Sequence, residues 1–242
     1  TAYLIIDVVG INDPPVLEGP LNIETQEDID FEIAGISVSD ADIGDIGGIF
    51  QGARLQFNLS AENGTISFDG CECEEIDEGC DCDGIDDGTL SFTAHLANFN
   101  NDISTLIFHP APNYFGPDGR ITITVNDQGN IGLADDGDAE ELIVTHVIHI
   151  DVTAVNDAPI LTTLPTGDST IEDTPISISG IMFTDIDIGD SDMRMDINMG
   201  NSFISLADTT GLIFIIPYTE NVSQLSFVGS MSEILDATAT II

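Results

Sequence analysis

The sequence predicts an all-β protein made of tandem Greek-key β-sandwiches. Three observations carry that reading. Apolar residues alternate with polar ones in short runs, as Leu55, Phe57 and Leu59 do with Gln56 and Asn58. The same pattern holds for Ile121, Ile123 and Val125 around Thr122 and Thr124, and for Ile148, Ile150 and Val152 around His149 and Asp151. Period two with β-branched residues, broken by Gly, Asn and Pro, marks half-buried antiparallel strands. No segment sustains a helical period, so no helix is expected. The third observation is that the chain repeats itself.

The repeat is legible in order along the chain. Ile11-Asn12-Asp13-Pro14-Pro15 returns as Val155-Asn156-Asp157-Ala158-Pro159. Glu27-Asp28 returns as Glu172-Asp173, and Asp40-Ala41-Asp42-Ile43-Gly44-Asp45 as Asp185-Ile186-Asp187-Ile188-Gly189-Asp190. Asn63-Gly64-Thr65-Ile66-Ser67 matches Asn201-Ser202-Phe203-Ile204-Ser205. Ordered matches of this kind define a tandem array. About seven strands per copy implies a sandwich of the immunoglobulin kind. Residues 1–15 read as the last strand of a preceding repeat plus its linker. Residues 16–157 read as one complete copy, and 158–242 as a second copy lacking its final strand, with 238–242 set against 122–126.

Composition narrows the function. Asp and Glu number 44 against 3 Lys and Arg, a formal charge of −41. A nucleic-acid binder needs a basic face to displace counterions, so that class is excluded. Docking on an anionic membrane is disfavoured for the same reason, and no apolar run approaches the roughly 18 residues of a span. At 42% hydrophobic residues the chain still buries a core. The sequons at Asn58, Asn63 and Asn221 suit a secreted glycoprotein.

The repeated acids suggest a hard cation. Calcium takes about 6–8 oxygens from carboxylates, amides and backbone carbonyls, and a joint between two sandwiches supplies more of them than one loop. The joint between the copies offers Asn156, Asp157, Asp185 and Asp187, with Asp190 close in sequence. The upstream equivalent offers Asn12, Asp13, Asp40, Asp42 and Asp127. Asn and Asp also favour turns for local reasons, but turn chemistry alone does not require them in register. Carboxylates this dense repel one another within the screening length of about 8–10 Å, and no lysine is present to compensate.

These segments resemble those of the cadherin family. Val38-Ser39-Asp40-Ala41-Asp42-Ile43-Gly44 looks like the cadherin Asp-x-Asp segment. Ile121-Thr122-Ile123-Thr124-Val125-Asn126-Asp127-Gln128-Gly129 looks like the penultimate strand with its acidic turn. Ile150-Asp151-Val152-Thr153-Ala154-Val155-Asn156-Asp157 looks like the last strand entering the linker. The run from Leu106 to Gly116 is similar to the cadherin-like tandem repeats of very large secreted surface proteins and adhesins. The family's Asp-Arg-Glu motif is replaced here by Asn113-Tyr114-Phe115-Gly116. The resemblance implies Ca2+ at the joints and adds Glu27, at the far end of the first copy, to the cluster around Asn156 and Asp157.

Residues 69–87 form an acidic insert expected to have no counterpart in the second copy. It carries Cys71, Cys73, Cys80 and Cys82. Two disulfides are the expectation in an oxidising compartment, with three pairings open; a four-thiolate zinc site is the alternative. No nucleophile elbow, phosphate loop or zinc-protease motif occurs. His95, His109, His146 and His149 read as structural, so no enzyme is expected.

The leading expectation is a calcium-stiffened rod segment of an extracellular surface filament or adhesin. Its expected partners are neighbouring repeats or further copies of the same protein. The strand expected in residues 1–13 would complete a sandwich outside its own body by donation. The alternatives are a calcium-dependent adhesive module and a non-catalytic spacer of a large secreted hydrolase.

Overall fold

In a computed structural model the described residues are 11–43, 54–69, 85–129, 140–164, 169–239 and 241–242. The cysteines, most of the insert and residues 1–10 lie outside them, so the disulfide, zinc and donated-strand expectations are not addressed. The chain divides into two compact units, Thr1–Val155 and Asn156–Ile242. Both are built mainly of β-strands.

The first unit contains β1 (Val16–Glu18), β2 (Asn22–Gln26), β3 (Phe31–Glu32), β4 (Ser37–Ser39), β5 (Leu55–Glu62), β6 (Gly64–Ser67), β7 (Thr89–Ala94), α1 (Leu96–Asp102), β8 (Ile107–Pro110), β9 (Gly116–Asn126) and β10 (Ile143–Thr153). A five-stranded sheet runs β2-β10-β9-β5-β7 and a three-stranded sheet runs β3-β8-β6, with β1 paired to β4. Only the β2–β10 pair is parallel among these. The alternation in the sequence sets which face is inward. Leu55, Phe57, Leu59, Ile121, Ile123, Val125, Ile148, Ile150 and Val152 of one sheet and Ile66 and Phe108 of the other share one core. Phe57 stacks on Phe99 of α1 with ring centroids 3.9 Å apart. The helix, which the sequence reading did not expect, plugs this core: Phe99 and, directly after α1, Ile103 are buried. Asn100 fastens it by bonding both backbone groups of Val38.

The second unit contains β11 (Ile160–Thr163), β12 (Met182–Thr184), β13 (Asp192–Asn198), β14 (Ile213–Phe214), β15 (Gln224–Ser230) and α2 (Met231–Thr238). It repeats part of the first. β11 pairs with β12 as β1 does with β4, and β13 with β15 as β5 does with β7. α2 follows β15 as α1 follows β7, closed by a capping box in which Ser230 Oγ accepts from the Glu233 backbone.

Two expected correspondences are corrected by the pairing. Ile178 N–H donates to Ile241 O at 2.7 Å, as Ile33 N–H donates to Leu106 O at 2.8 Å. The tail therefore stands at the register of Leu106, not of residues 122–126, and no counterpart of β8, β9 or β10 occurs among the described residues of this unit. The bridge Ile204↔Val222 repeats the bridge Ile66↔Asp87. Residues 205–221 thus take the place of residues 67–86: the second copy has an excursion here too, one without cysteines.

Candidate functional site

At one end of the first unit three turns converge. Asn12 and Asp13 precede β1, Asp40 and Asp42 follow β4, and Asp127 follows β9. Asp127 is wholly buried. Its Oδ1 accepts N–H bonds from Gly129 at 2.9 Å and Leu142 at 2.8 Å. Its Oδ2 accepts from Asn12 Nδ2 at 2.8 Å, and the same amide nitrogen donates to Glu140 O at 2.8 Å. Asn12 is thereby oriented with its amide nitrogen inward on protein acceptors, while its Oδ1 is buried without a hydrogen bond.

Asp40 and Asp42 are arranged by backbone donors. Asp40 Oδ1 accepts from Asp42 N–H at 2.9 Å and Ile43 N–H at 3.2 Å, an Asx turn. Asp42 Oδ2 accepts from Asp13 N–H at 2.6 Å. Asp40 is 7% exposed and its Oδ2 is buried without a partner. Burial pushes its carboxyl above the ordinary value, the two N–H bonds oppose this, and the charges of Asp42 and Asp127 push it further up. An uncompensated buried carboxylate oxygen is costly.

The second unit builds the same lattice. Asp157 N–H donates to Asp187 Oδ2 at 2.5 Å. Asp185 Oδ1 accepts from Asp187 N–H at 3.2 Å and Ile188 N–H at 3.1 Å. Asp187 Oδ1 is buried without a hydrogen bond. Asn156 turns its amide onto Asp157 O at 2.9 Å, and Asp190 is exposed.

Glu27 lies in the turn after β2 of the first unit, fully buried. Its N–H donates to Thr153 O at 3.0 Å, and its Oε1 accepts from Val155 N–H at 2.7 Å. Its Oε2 is buried without a partner.

Other sequence candidates fall elsewhere. Asn58 is exposed on β5, with Oδ1 accepting from Ser91 Oγ at 2.7 Å. Asn63 and Asn221 occupy turns with φ of 58° and 60°, and Asn63 Nδ2 donates to Asp118 O at 2.9 Å. His146 Nε2 meets Pro20 O at 2.9 Å, while His149 is exposed. His109 is the exception. It lies in a row with Asp30 and Ser67, which no sequence motif announces.

No family model matches the chain, and no curated protein matches it. Among solved structures it is similar to protocadherin gamma B7 extracellular cadherin domains 1–4, at 16% identity and a TM-score of 0.29. That match covers 91% of this chain and 42% of the other, so the chain spans less than half of the structure it resembles. The reading of the site rests on its own geometry.

Proposed function

We propose that the chain is a segment of an extracellular, calcium-stiffened rod, part of a surface filament or adhesin built of tandem sandwiches. The observation that carries this is Asp40 Oδ2: a buried carboxylate oxygen without a partner, inside a cluster of hard oxygen donors. The donor set fits a calcium-type ion. Asn12 Oδ1, Asp40 Oδ2 and Asp187 Oδ1 are oxygens of the type such an ion takes, and each is buried without a hydrogen bond. In Asp40 and Asp187 the N–H bonds engage one carboxylate oxygen and leave the other unbonded. A divalent cation supplies the positive charge that the −41 chain does not.

In this reading Asn12, Asp13, Asp40 and Asp42 hold the first ion, with Asp127 orienting Asn12. Asn156, Asp157, Asp185 and Asp187 form the repeated set in the second unit, and Glu27 of the first unit offers an oxygen of the same kind, its buried Oε2. Partners are neighbouring repeats or further copies. Among the described residues no helix is long and apolar enough to cross a membrane.

Calorimetric titration of calcium into the intact chain tests the proposal. Saturable binding that weakens at least tenfold in Asp40→Asn is expected. An unchanged isotherm in that variant, or no binding at all, would overturn it.

A further inference from the structure

The three-stranded sheet of the first unit aligns a second set of side chains, unrelated to the cation reading. In β8 Phe108 points into the core, so His109 faces out. The register Phe31↔Phe108 between β3 and β8 places Asp30 one step on, opposite His109. The register Thr65↔His109 between β6 and β8 places Ser67 diagonally across on the same outer face. The strands thus lay out Asp30, His109 and Ser67 as a row. His109 Nδ1 is 2.7 Å from Asp30 Oδ1, and His109 Nε2 is 2.8 Å from Ser67 Oγ.

The proton positions follow from the donors available. A carboxylate only accepts, so Nδ1 carries the hydrogen facing Asp30. In the neutral ring Nε2 then accepts, and Ser67 O–H donates to it. A hydroxyl bonded to an imidazole that is itself oriented by a carboxylate is the arrangement that activates a nucleophile, recognised by geometry and not by chain order. Two further features bear on reactivity. Asp86 holds a left-handed φ of 54° and aims its N–H at Ser67 Oγ across 3.0 Å. That bond holds the Ser67 hydroxyl oxygen in place beside Nε2. The Asp86 carboxylate stands 3.4 Å from Nε2, where it repels an anionic substrate.

We propose that Ser67 is a reactive hydroxyl, activated through His109 and Asp30, that takes the acyl group of small, neutral or cationic, activated esters. Ser67 Oγ bonds to the acyl carbon while its proton passes to His109 Nε2. The intermediate collapses, the bond to the leaving oxygen breaks, and Nε2 returns the proton to the departing alcohol. Water, deprotonated by His109, then attacks the acyl-serine and releases the carboxylic acid with Ser67 restored. With no oxyanion donor identified among the described residues, good leaving groups such as phenolates are required.

The test labels the intact chain with an uncharged alkyl fluorophosphonate, locates the adduct by peptide mass, and follows 4-nitrophenyl acetate hydrolysis in parallel. Expected is an adduct on Ser67, absent in Ser67→Ala and slowed about 100-fold in His109→Gln, the scale of a lost general base. Asp30→Asn, which offers Nδ1 the wrong tautomeric partner, should lower kcat more than it raises KM. Ser91→Ala, on the other sheet, should leave labelling unchanged. Circular dichroism confirms that each variant folds, and a wild-type rate measured against acid and neutral pH keeps the test open if His109→Gln does not fold. An unlabelled Ser67, labelling spread over exposed serines, or a rate indifferent to both His109 and pH would overturn the proposal.

Discussion

The backbone N–H of Asp13 donates to Oδ2 of Asp42 across 2.6 Å, tying the segment before β1 to the turn after β4. The acceptor oxygen is a charge, but the bond itself needs only an acceptor. Asp42→Asn can therefore keep the tie through its amide oxygen while losing the charge. Without calcium the variant should melt at or slightly above the wild-type temperature, since carboxylate repulsion falls. With calcium at about 100 times its Kd, a bound ion stabilises the wild type by about 2.7 kcal/mol. The variant should lose most of that increment. Thermal scans with and without calcium check it; equal increments would remove Asp42 from the ligand set.

The two cores should respond differently to the same truncation. Phe57 is fully buried and stacks on Phe99, so Phe57→Ala should cost the first unit about 3–5 kcal/mol. Its counterpart by cross-strand pairing is Met195, set opposite Phe227 as Phe57 is opposite Phe92. Met195 is only half-buried, and Met195→Ala should cost about 1–2 kcal/mol. Denaturant unfolding of the intact chain, followed by probes in each unit, separates the two.

Strand alternation made the sheets legible because one period-two face is buried in each. The repeated Asn-Asp and Asp-x-Asp motifs likewise marked which turns converge at Asp13, Asp42 and Asp127. What escaped was set by long-range pairing. Thr238 to Ile242 reads like Thr122 to Asn126, yet Thr238 is the last residue of α2 and Ile241 pairs with Ile178. α1 carries no cap signal, since His95 makes no side-chain cap bond. α2 was readable: Ser230 and Glu233 have capping-box spacing immediately before an apolar run. The row of Asp30, His109 and Ser67 depends on the register of three strands, which local patterning does not specify.

That capping box gives a pH prediction. Glu233 accepts from Ser230 N–H at 2.9 Å and from Ser230 Oγ, also at 2.9 Å, and these two bonds hold its carboxyl below the ordinary 4.5. A depressed carboxyl stabilises the fold above its unfolded value, and that contribution is lost as pH falls through the folded value. The second unit should therefore loosen on acidification below about pH 4.5, and Glu233→Gln should remove this part of the pH dependence. Ser230→Ala should cost about 1 kcal/mol at neutral pH. Far-ultraviolet circular dichroism against pH reads both. Parallel acid curves for wild type and Glu233→Gln would refute the assignment.

Glu27 separates fastening from charge. Its Oε1 holds Val155 N–H at 2.7 Å, and its own N–H bonds Thr153 O at 3.0 Å, so it secures the chain as it leaves β10. Its Oε2 is buried with nothing bonded to it. Glu27→Gln preserves an acceptor for Val155 and removes the negative charge, so the first unit should remain folded, with amide exchange at Val155 unchanged. Glu27→Ala leaves that N–H without its partner. A lost hydrogen bond of this kind costs about 1 kcal/mol, and exchange at Val155 should accelerate accordingly. The calcium response sorts the variants the other way. If the charge of Glu27 serves a cation, Gln and Ala should both lower calcium affinity, by at least tenfold, although only Ala disturbs the fold. A glutamine variant with full calcium affinity would assign Glu27 to the fastening alone and leave the second ligand set to Asn156, Asp157, Asp185 and Asp187.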